Sequence, residues 1–409
     1  MRFIDKIGLK KLTRKENDVS FLSLHLLGKM YYLKLYNNDL VSFDMNNDFG
    51  LKITNISILN ENKELYPIIL QKEINDETIA DFIKSRVIPK NRAFVQSILE
   101  SAGLNINDKK GIIDISKGLS LVDSYWIVQD KNLKYEDYNL FENDFSEILS
   151  LVAFTGYSSK ISDLITSPEF TTNGALPKGW RRIDNEVYLY KGGTNPIFAN
   201  TGYEPYSEFY VSQIAKKMEL DHVEYDLRQW KGMLASVCKI FTSKDISYVQ
   251  IGDCIRTSDI SKVYSYICSL GLQNKFADMI LLDALTINTD RHFGNFGFLR
   301  DNKTGKIVDF APIFDNGESL LSKAMPSLFG DVKEFENYIN SENINISYYG
   351  ISYDKLISAF CDKKHIDKLR KLLNFKFKRH EKYNLEDSRL NLLEIMIRQR
   401  ALKFIAILS

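Results

Sequence analysis

Proline and glycine are few, 8 and 21 in 409 residues. That excludes a collagenous or linker-rich chain and speaks against long disorder. Cysteine is scarcer still. Cys238, Cys254, Cys268 and Cys361 show no CxxC spacing and no paired histidine cluster, so neither a disulfide framework nor a zinc ribbon is expected, and the thiols read as reduced in a cytoplasmic protein. No apolar run reaches about 18 residues, so no membrane span is expected. The basic stretch 1–21 lacks the continuous apolar core of a secretory signal. An excess of one charge is missing too: 54 Lys and Arg face 53 Asp and Glu, for a net charge of +1. Such a balance argues against a protein dominated by nonspecific polyanion binding.

What remains is an ordinary globular composition, 44% hydrophobic and 26% charged, without internal repeats. The length exceeds one domain at roughly 100–200 residues each. The pattern divides into 1–143, 144–243 and 244–409. Residues 30–45 read as two strands around Asn37-Asn38-Asp39. Two helices broken at Pro89 are predicted within 75–103, the second ending at Gly103, followed by short strands separated by glycine over 111–130. The polar, aromatic stretch 131–148 connects domains, and a helix runs from near Asp144 to Gly156. A second strand-rich block has a turn at Asp184-Asn185 and a strand at 187–191. A helix begins near Pro205, which suits a first helical turn, and strand patterns follow at 221–226 and 234–241. After residue 244 the chain reads as mainly helical, with one strand pair at 296–313. The end, 353–409, reads as helical and locally basic; the basic run is either a solvated helix face or a surface for nucleic acid or an acidic partner.

The sharpest signal lies at 288–317, NTDRHFGNFGFLRDNKTGKIVDFAPIFDNG. An apolar helix, FADMILLDALTI, delivers the chain into Asp290-Arg291-His292. Asn295 completes an Asp-x4-Asn loop, and a hairpin then returns Asp315. Phosphoryl transfer needs a carboxylate beside the attacking hydroxyl and oxygen ligands for Mg²⁺ on the nucleotide phosphates. Mg²⁺ takes few protein ligands and keeps water and phosphate oxygens for the rest. One base and two ligands from a compact unit meet that demand. Each piece alone is common in loops; the ordered combination is specific. His292 either anchors the loop by hydrogen bonds or takes part in the chemistry.

A kinase must also hold and neutralise phosphates. The loop Thr171-Thr172-Asn173-Gly174-Ala175 could offer backbone N–H groups and hydroxyls to phosphate oxygens, or it is a surface turn. Lys191 continues the apolar face of Val187 and Leu189, so it is a snorkelling edge charge or a cleft lysine. Glu208, on the next helix, either pairs with Lys191 or favours the first turn of its helix through the helix dipole.

The segment SPEFTTNGALPKGWRR, Lys191, the loop NTDRHFGNFGF and APIFDNGESL together resemble, in the family's order, the HipA-like serine/threonine kinases, which include bacterial toxin kinases. The match covers 145–409. The Asp-Arg-His-x-x-Asn form also resembles the catalytic loop of phosphatidylinositol 3- and 4-kinases. The resemblance implies an α+β, two-lobed protein-kinase-like core with a small mixed α/β N-terminal domain and a mainly helical C-terminal lobe. It makes Asp290 the catalytic base, Asn295 and Asp315 the Mg²⁺ ligands, and Lys191 the contact to the α/β phosphates of ATP. Residues 171–174 would cover the phosphates, and the backbone of Cys238, Lys239, Ile240 and Phe241 would hold adenine. Glu208 and His292 support the site, and Thr171 falls at the family's autophosphorylated position. Asp315 departs from the protein-kinase pattern in being followed by Asn316-Gly317 rather than Phe-Gly.

The implied activity is transfer of the γ-phosphate of ATP to a serine or threonine of a protein substrate, regulated by autophosphorylation. The implied partner is a separate antitoxin with a DNA-binding domain, with neither direct specific nucleic-acid binding nor a membrane expected. Two rivals remain: a small-molecule or lipid kinase of the same fold, and a catalytically decayed nucleotide-binding regulatory protein. The intact Asp290, Asn295 and Asp315 set speaks against the second.

Overall fold

A computed structural model of the chain describes residues 30–47, 50–157, 160–161 and 166–409. The basic stretch 1–21 lies outside them. The first sheet is antiparallel in the order β3-β2-β1-β4, from β1 (Met30–Leu35), β2 (Asn38–Asn46), β3 (Lys52–Ile58) and β4 (Tyr125–Val128). Tyr36 and Asn37 form the β1–β2 turn, one residue earlier than expected, because Leu35 pairs with Asn38. Tyr36 takes a left-handed backbone, φ 52°.

The helices α1 (Asp76–Ser85) and α2 (Val95–Ser101) flank Pro89 as expected. A capping box between Asn75 and Thr78 starts α1. The strands expected over 111–130 are a correction. Residues Lys109–Ser116 form α3, started by Asp108, whose carboxylate accepts the Gly111 N–H, and only β4 is extended. Ile112, Ile113 and Ser116 are buried on one helical stripe. A short apolar run of this kind does not reveal its period.

The second sheet has the order β5-β6-β8-β7, from β5 (Lys178–Ile183), β6 (Glu186–Gly192), β7 (Asp226–Trp230) and β8 (Met233–Lys239). Asp184 and Asn185, at φ 50° and 64°, make a two-residue hairpin turn whose twist matches the strands. Helix α4 (Glu147–Thr155) lies against β5 and ends at Gly156, φ 79°. Helix α5 (Glu204–Lys217), with Pro205 in its first turn, packs on β8. The strand expected at 221–226 begins only at Asp226. His222 instead bridges to Ile313.

The third sheet, β11-β10-β9, holds the expected pair β10 (Gly297–Asp301) and β11 (Ile307–Phe310), plus β9 (Ile246–Gln250), which the sequence pattern had left out. A Cβ at residue 297 would run into the Val249 carbonyl, so glycine there lets β10 close on β9. Around this sheet lie α6 (Ile260–Ser269), α7 (Gln273–Thr286), α8 (Val332–Ile339), α9 (Tyr353–Phe360), α10 (His365–Arg370) and α11 (Asp387–Leu408). Helix α7 buries Phe276, Met279, Ile280, Leu281, Leu282 and Leu285, a nearly all-round apolar surface that belongs in a core. It presents the loop after it from a rigid element.

The basic run is only partly helical, since 371–386 is irregular. Its charges meet the chain's own acids: Lys368 pairs with Asp278, Lys371 with Glu219, Lys376 with Glu394 and Arg379 with Asp387. The four cysteines are free. Among the described residues, no helix is long and apolar enough to cross a membrane.

Candidate active site

Helix α7 ends on Ile287, whose left-handed backbone (φ 56°) turns the chain sharply. Asn288 then donates to Asp283 Oδ1 (2.9 Å), and its own Oδ1 accepts the Asp290 N–H (3.0 Å). Arg291 is buried and uses all five of its donors. Nε and Nη2 bind both oxygens of Asp283 at 2.9 Å. Nη1 reaches the carbonyls of Asn295 (3.0 Å) and Phe314 (2.6 Å), and Nη2 also reaches Asn316 Oδ1 (2.7 Å). One guanidinium therefore ties the loop 290–295 to both neighbours of Asp315.

Within the loop, Asn295 Nδ2 donates to the Asp290 carbonyl (3.0 Å), which turns its Oδ1 to the other side. His292 Nδ1 accepts the Gly294 N–H (3.0 Å), an anchoring bond. The Asp290 carboxylate is half-buried. Burial first, then the nearby charges of Glu318 and Asp315, pushes it above the usual carboxylate range. A raised carboxylate is better matched to accepting a proton near neutral pH.

Asp315 has a left-handed backbone, φ 56°, and a side chain about one-third exposed. Burial pushes its carboxyl up, but Lys191 foremost, with Lys178 and Arg291, outweighs that and holds it at about 2. Lys191 binds Asp315 on one side and Glu208 Oε1 on the other, 2.9 Å away. Glu208 is fully buried, and its Oε2 accepts the Asn316 N–H (2.8 Å). Of the two roles weighed for Glu208, pairing with Lys191 is the one present. The Ser207 hydroxyl adds bonds to the carbonyls of Asn316 (2.6 Å) and Ser319 (2.9 Å), so α5 stitches down the turn after Asp315.

The loop 171–174 runs above this cluster into β5. Thr171 is buried, its hydroxyl donating to the carbonyls of Leu119 (2.9 Å) and Pro168 (3.2 Å). The Thr172 hydroxyl donates to Pro168 (2.7 Å) and accepts from Trp180 Nε1 (2.9 Å). Asn173 and Gly174 are exposed. Gly174 sits at φ 96°, and a Cβ there would collide with Lys178 Nζ. At the end of β8, Lys239 is exposed and paired with Glu186 (2.8 Å). The Ile240 N–H binds the Val187 carbonyl (3.0 Å), and Phe241 packs on Phe314, one residue before Asp315 (centroids 5.4 Å). The Cys238 thiol is pushed up to about 12, by burial first and by the Glu208 charge next.

Sequence reasoning passed over Lys178, which faces Lys191 across the β5–β6 pair. Its Nζ donates to the Asn173 carbonyl (2.8 Å). Burial, then the charges of Lys191 and Arg92, lower it to about 7. An anion bound beside it favours the charged form, so an anionic ligand such as inorganic phosphate that binds there at about pH 8 should bring the uptake of as much as about one proton. Calorimetry in buffers of different ionisation enthalpy reads that number. Zero uptake would mean that no anion approaches Lys178. Arg291, Asp283 and Asn316 were also passed over, although Arg291 and Asn316 lie inside the motif. A charged residue between the candidate base Asp290 and the candidate ligand Asn295 is the signal that could have found Arg291.

Among the described residues, no three His, Cys, Asp or Glu side chains converge to hold a metal ion. Mg²⁺ on a nucleotide needs less. Asp315, held ionised and open on one side, with the Oδ1 of Asn295, offers two hard oxygens, and the donor types fit.

No family model matches the chain. Over 160 residues it is 29% identical to the serine/threonine-protein kinase CtkA of Helicobacter pylori, covering 34% of this chain and 49% of the relative. The chain thus spans about half the length of the curated relative it matches. The crystal structure of the H. pylori proinflammatory kinase CtkA superposes with a TM-score of 0.46 at 22% identity, over 58% of this chain and 91% of that one. A chain of the Shewanella oneidensis MR-1 toxin–antitoxin complex of HipA, HipB and operator DNA superposes with a TM-score of 0.50 at 11% identity, over 92% of this chain and 97% of that one. The chain is therefore similar in sequence, over about a third of its length, to a serine/threonine-protein kinase and, over nearly its whole length, similar in fold to one chain of the HipA complex, which bears out the HipA-like resemblance drawn from its motifs.

Proposed function

We propose that the chain is an ATP- and Mg²⁺-dependent serine/threonine protein kinase. One observation carries the reading: Arg291 fastens the Asp290–Asn295 loop to the turn that bears Asp315, on which the Lys191–Glu208 pair converges. In this reading 144–243 is the nucleotide-clamping lobe, 244–409 the catalytic lobe and 1–143 a separate N-terminal domain. The cleft between the lobes takes ATP, with adenine against the backbone of 238–241 and the phosphates under 171–174. Asn295 and Asp315 would hold Mg²⁺, which supplies charge neutralisation on the phosphates. Lys191, oriented by Glu208, neutralises the α/β phosphates. Asp290 accepts or orients the proton of the substrate hydroxyl. With little covalent work for the protein to do, positioning and electrostatics supply most of the catalysis.

Autophosphorylation falls on Thr171 in this reading. Its buried hydroxyl must first leave the Leu119 carbonyl, so modification requires the loop to swing out. The partner is a separate DNA-binding antitoxin, and the compartment the cytoplasm. The test is incubation of the purified chain with γ-labelled ATP and Mg²⁺, with mass spectrometry of the protein. Label on serine or threonine is the expected result. Label passing only to added lipid or small molecules would replace the protein-kinase reading with the rival kinase.

A further inference from the structure

The connection between α1 and α2 carries a buried arginine that reaches into the phosphate loop. Arg92 is 2% exposed, and its side chain and that of Glu169 are wholly buried. Arg92 Nη1 donates to the Thr172 carbonyl (3.0 Å), and Nη2 donates to the Lys178 carbonyl (2.9 Å) and to Glu169 Oε2. The backbone N–H of Ala93 donates to the Ala175 carbonyl (2.9 Å). Glu169 Oε1 in turn accepts the Trp180 N–H (2.8 Å) at the start of β5. The loop's carbonyls at 172, 175 and 178 are thus all drawn to one short segment of the N-terminal region.

A trans peptide points its carbonyl and the following N–H in opposite directions. Holding the Thr172 and Ala175 carbonyls toward residues 92–93 therefore aims the N–H groups of Asn173 and Leu176 away from them. Among the described residues, none of the four N–H groups from Asn173 to Leu176 has a hydrogen-bond partner. The N–H groups of Asn173 and Leu176, turned away from residues 92–93 and unpartnered, offer two donors to an anion, while the Asn173 carbonyl is held by Lys178 Nζ. Burying a guanidinium and a carboxylate adds little net stability over apolar packing. What the pair supplies here is a fixed orientation of the loop backbone.

We infer that Arg92 is a positioning residue for nucleotide phosphates: from outside the cleft it holds the Thr172 and Lys178 carbonyls, so that the N–H groups of Asn173 and Leu176 face the triphosphate. This gives the N-terminal region a part in nucleotide binding, and it rests on the nucleotide reading of the cleft.

The test uses the full chain with Arg92→Met and with the double variant Arg92→Met/Glu169→Met, which leaves no unpaired buried charge. Mg-ATP and adenosine are titrated calorimetrically against each. Losing the orientation of one or two charge-assisted hydrogen bonds should raise the Kd for Mg-ATP by about 10–100-fold. Adenosine, which has no phosphate, should bind the variants within about twofold of wild type. Arg92→Lys keeps the charge opposite Glu169 but not the fork that spans two carbonyls, and should weaken Mg-ATP as well. It supplies the same readout if the double variant does not fold. Wild-type affinity for Mg-ATP in these variants overturns the inference, as does equal weakening of both ligands. A wild-type chain that binds Mg-ATP no better than adenosine removes the nucleotide reading itself, a result distinct from either.

Discussion

Asp290→Asn and Asp315→Asn are each expected to lower phosphoryl transfer by roughly 10²–10⁴-fold or more with the fold intact, the melting temperature staying level for Asp290→Asn and falling by about a few degrees for Asp315→Asn, which loses the charge paired with Lys191. The Asp290 carboxylate accepts no hydrogen bond among the described residues, and it is opposed by Glu318 and Asp315. An amide there removes repulsion and the proton acceptor together. Asp315 sits at φ 56°, a conformation that asparagine tolerates as well as aspartate, so the backbone has no reason to move. Lys191 keeps Glu208 as a partner at 2.9 Å. A pH dependence comes with Asp315. Its folded-state carboxyl is held at about 2, below the value near 3.9 of an unfolded aspartate. Its contribution to stability is thus fully present above about pH 4 and is lost as pH falls toward 2. Asp315→Asn should flatten that part of the acid limb. Initial rates of γ-phosphate transfer beside thermal melts check all of this. Near-wild-type turnover in either folded variant would sink the site assignment.

Arg291→Met should destabilise the chain by about 3–5 kcal/mol and abolish transfer, because it strands a buried carboxylate and several buried carbonyls at once. Arg291 and Asp283 are almost wholly buried, so solvent cannot replace the lost bonds. Arg291→Lys is expected to fail nearly as badly. A lysine ammonium is a point donor and cannot bridge Asp283, Asn295, Phe314 and Asn316 together. The double variant Arg291→Met/Asp283→Leu separates stability from geometry. With no buried charge left unpaired it should recover much of the lost stability in urea unfolding, yet stay inactive, because the bridge from Asn295 to the residues flanking Asp315 is gone. Recovered activity in that variant would show that the tie is dispensable.

The local features of this chain are written in neighbouring residues. The hairpin at Asp184-Asn185, the helix entered through Pro205 and the sharp loop between Asp290 and Asn295 each depend on turn and cap chemistry spanning a few positions. The same holds for the order of the motifs, which is why the HipA-like resemblance is legible without coordinates. Period is legible only where a run is long enough. The eight residues of α3 and the five of β9 are too short, and only their neighbours in space decide them. The site divides along the same line. Asp290, Asn295 and Asp315 announce themselves by spacing, because one loop and one hairpin carry all three. Lys178, Arg92 and the burial of Thr171 do not, because each depends on a contact made across the fold. Arg92 meets Thr172 from 80 positions away, and the Thr171 hydroxyl finds the Leu119 carbonyl from 52. No local rule says which carbonyl a distant guanidinium will reach. That is settled when the N-terminal region packs against the loop and a buried charge must find every partner it can, since water is no longer there to supply them.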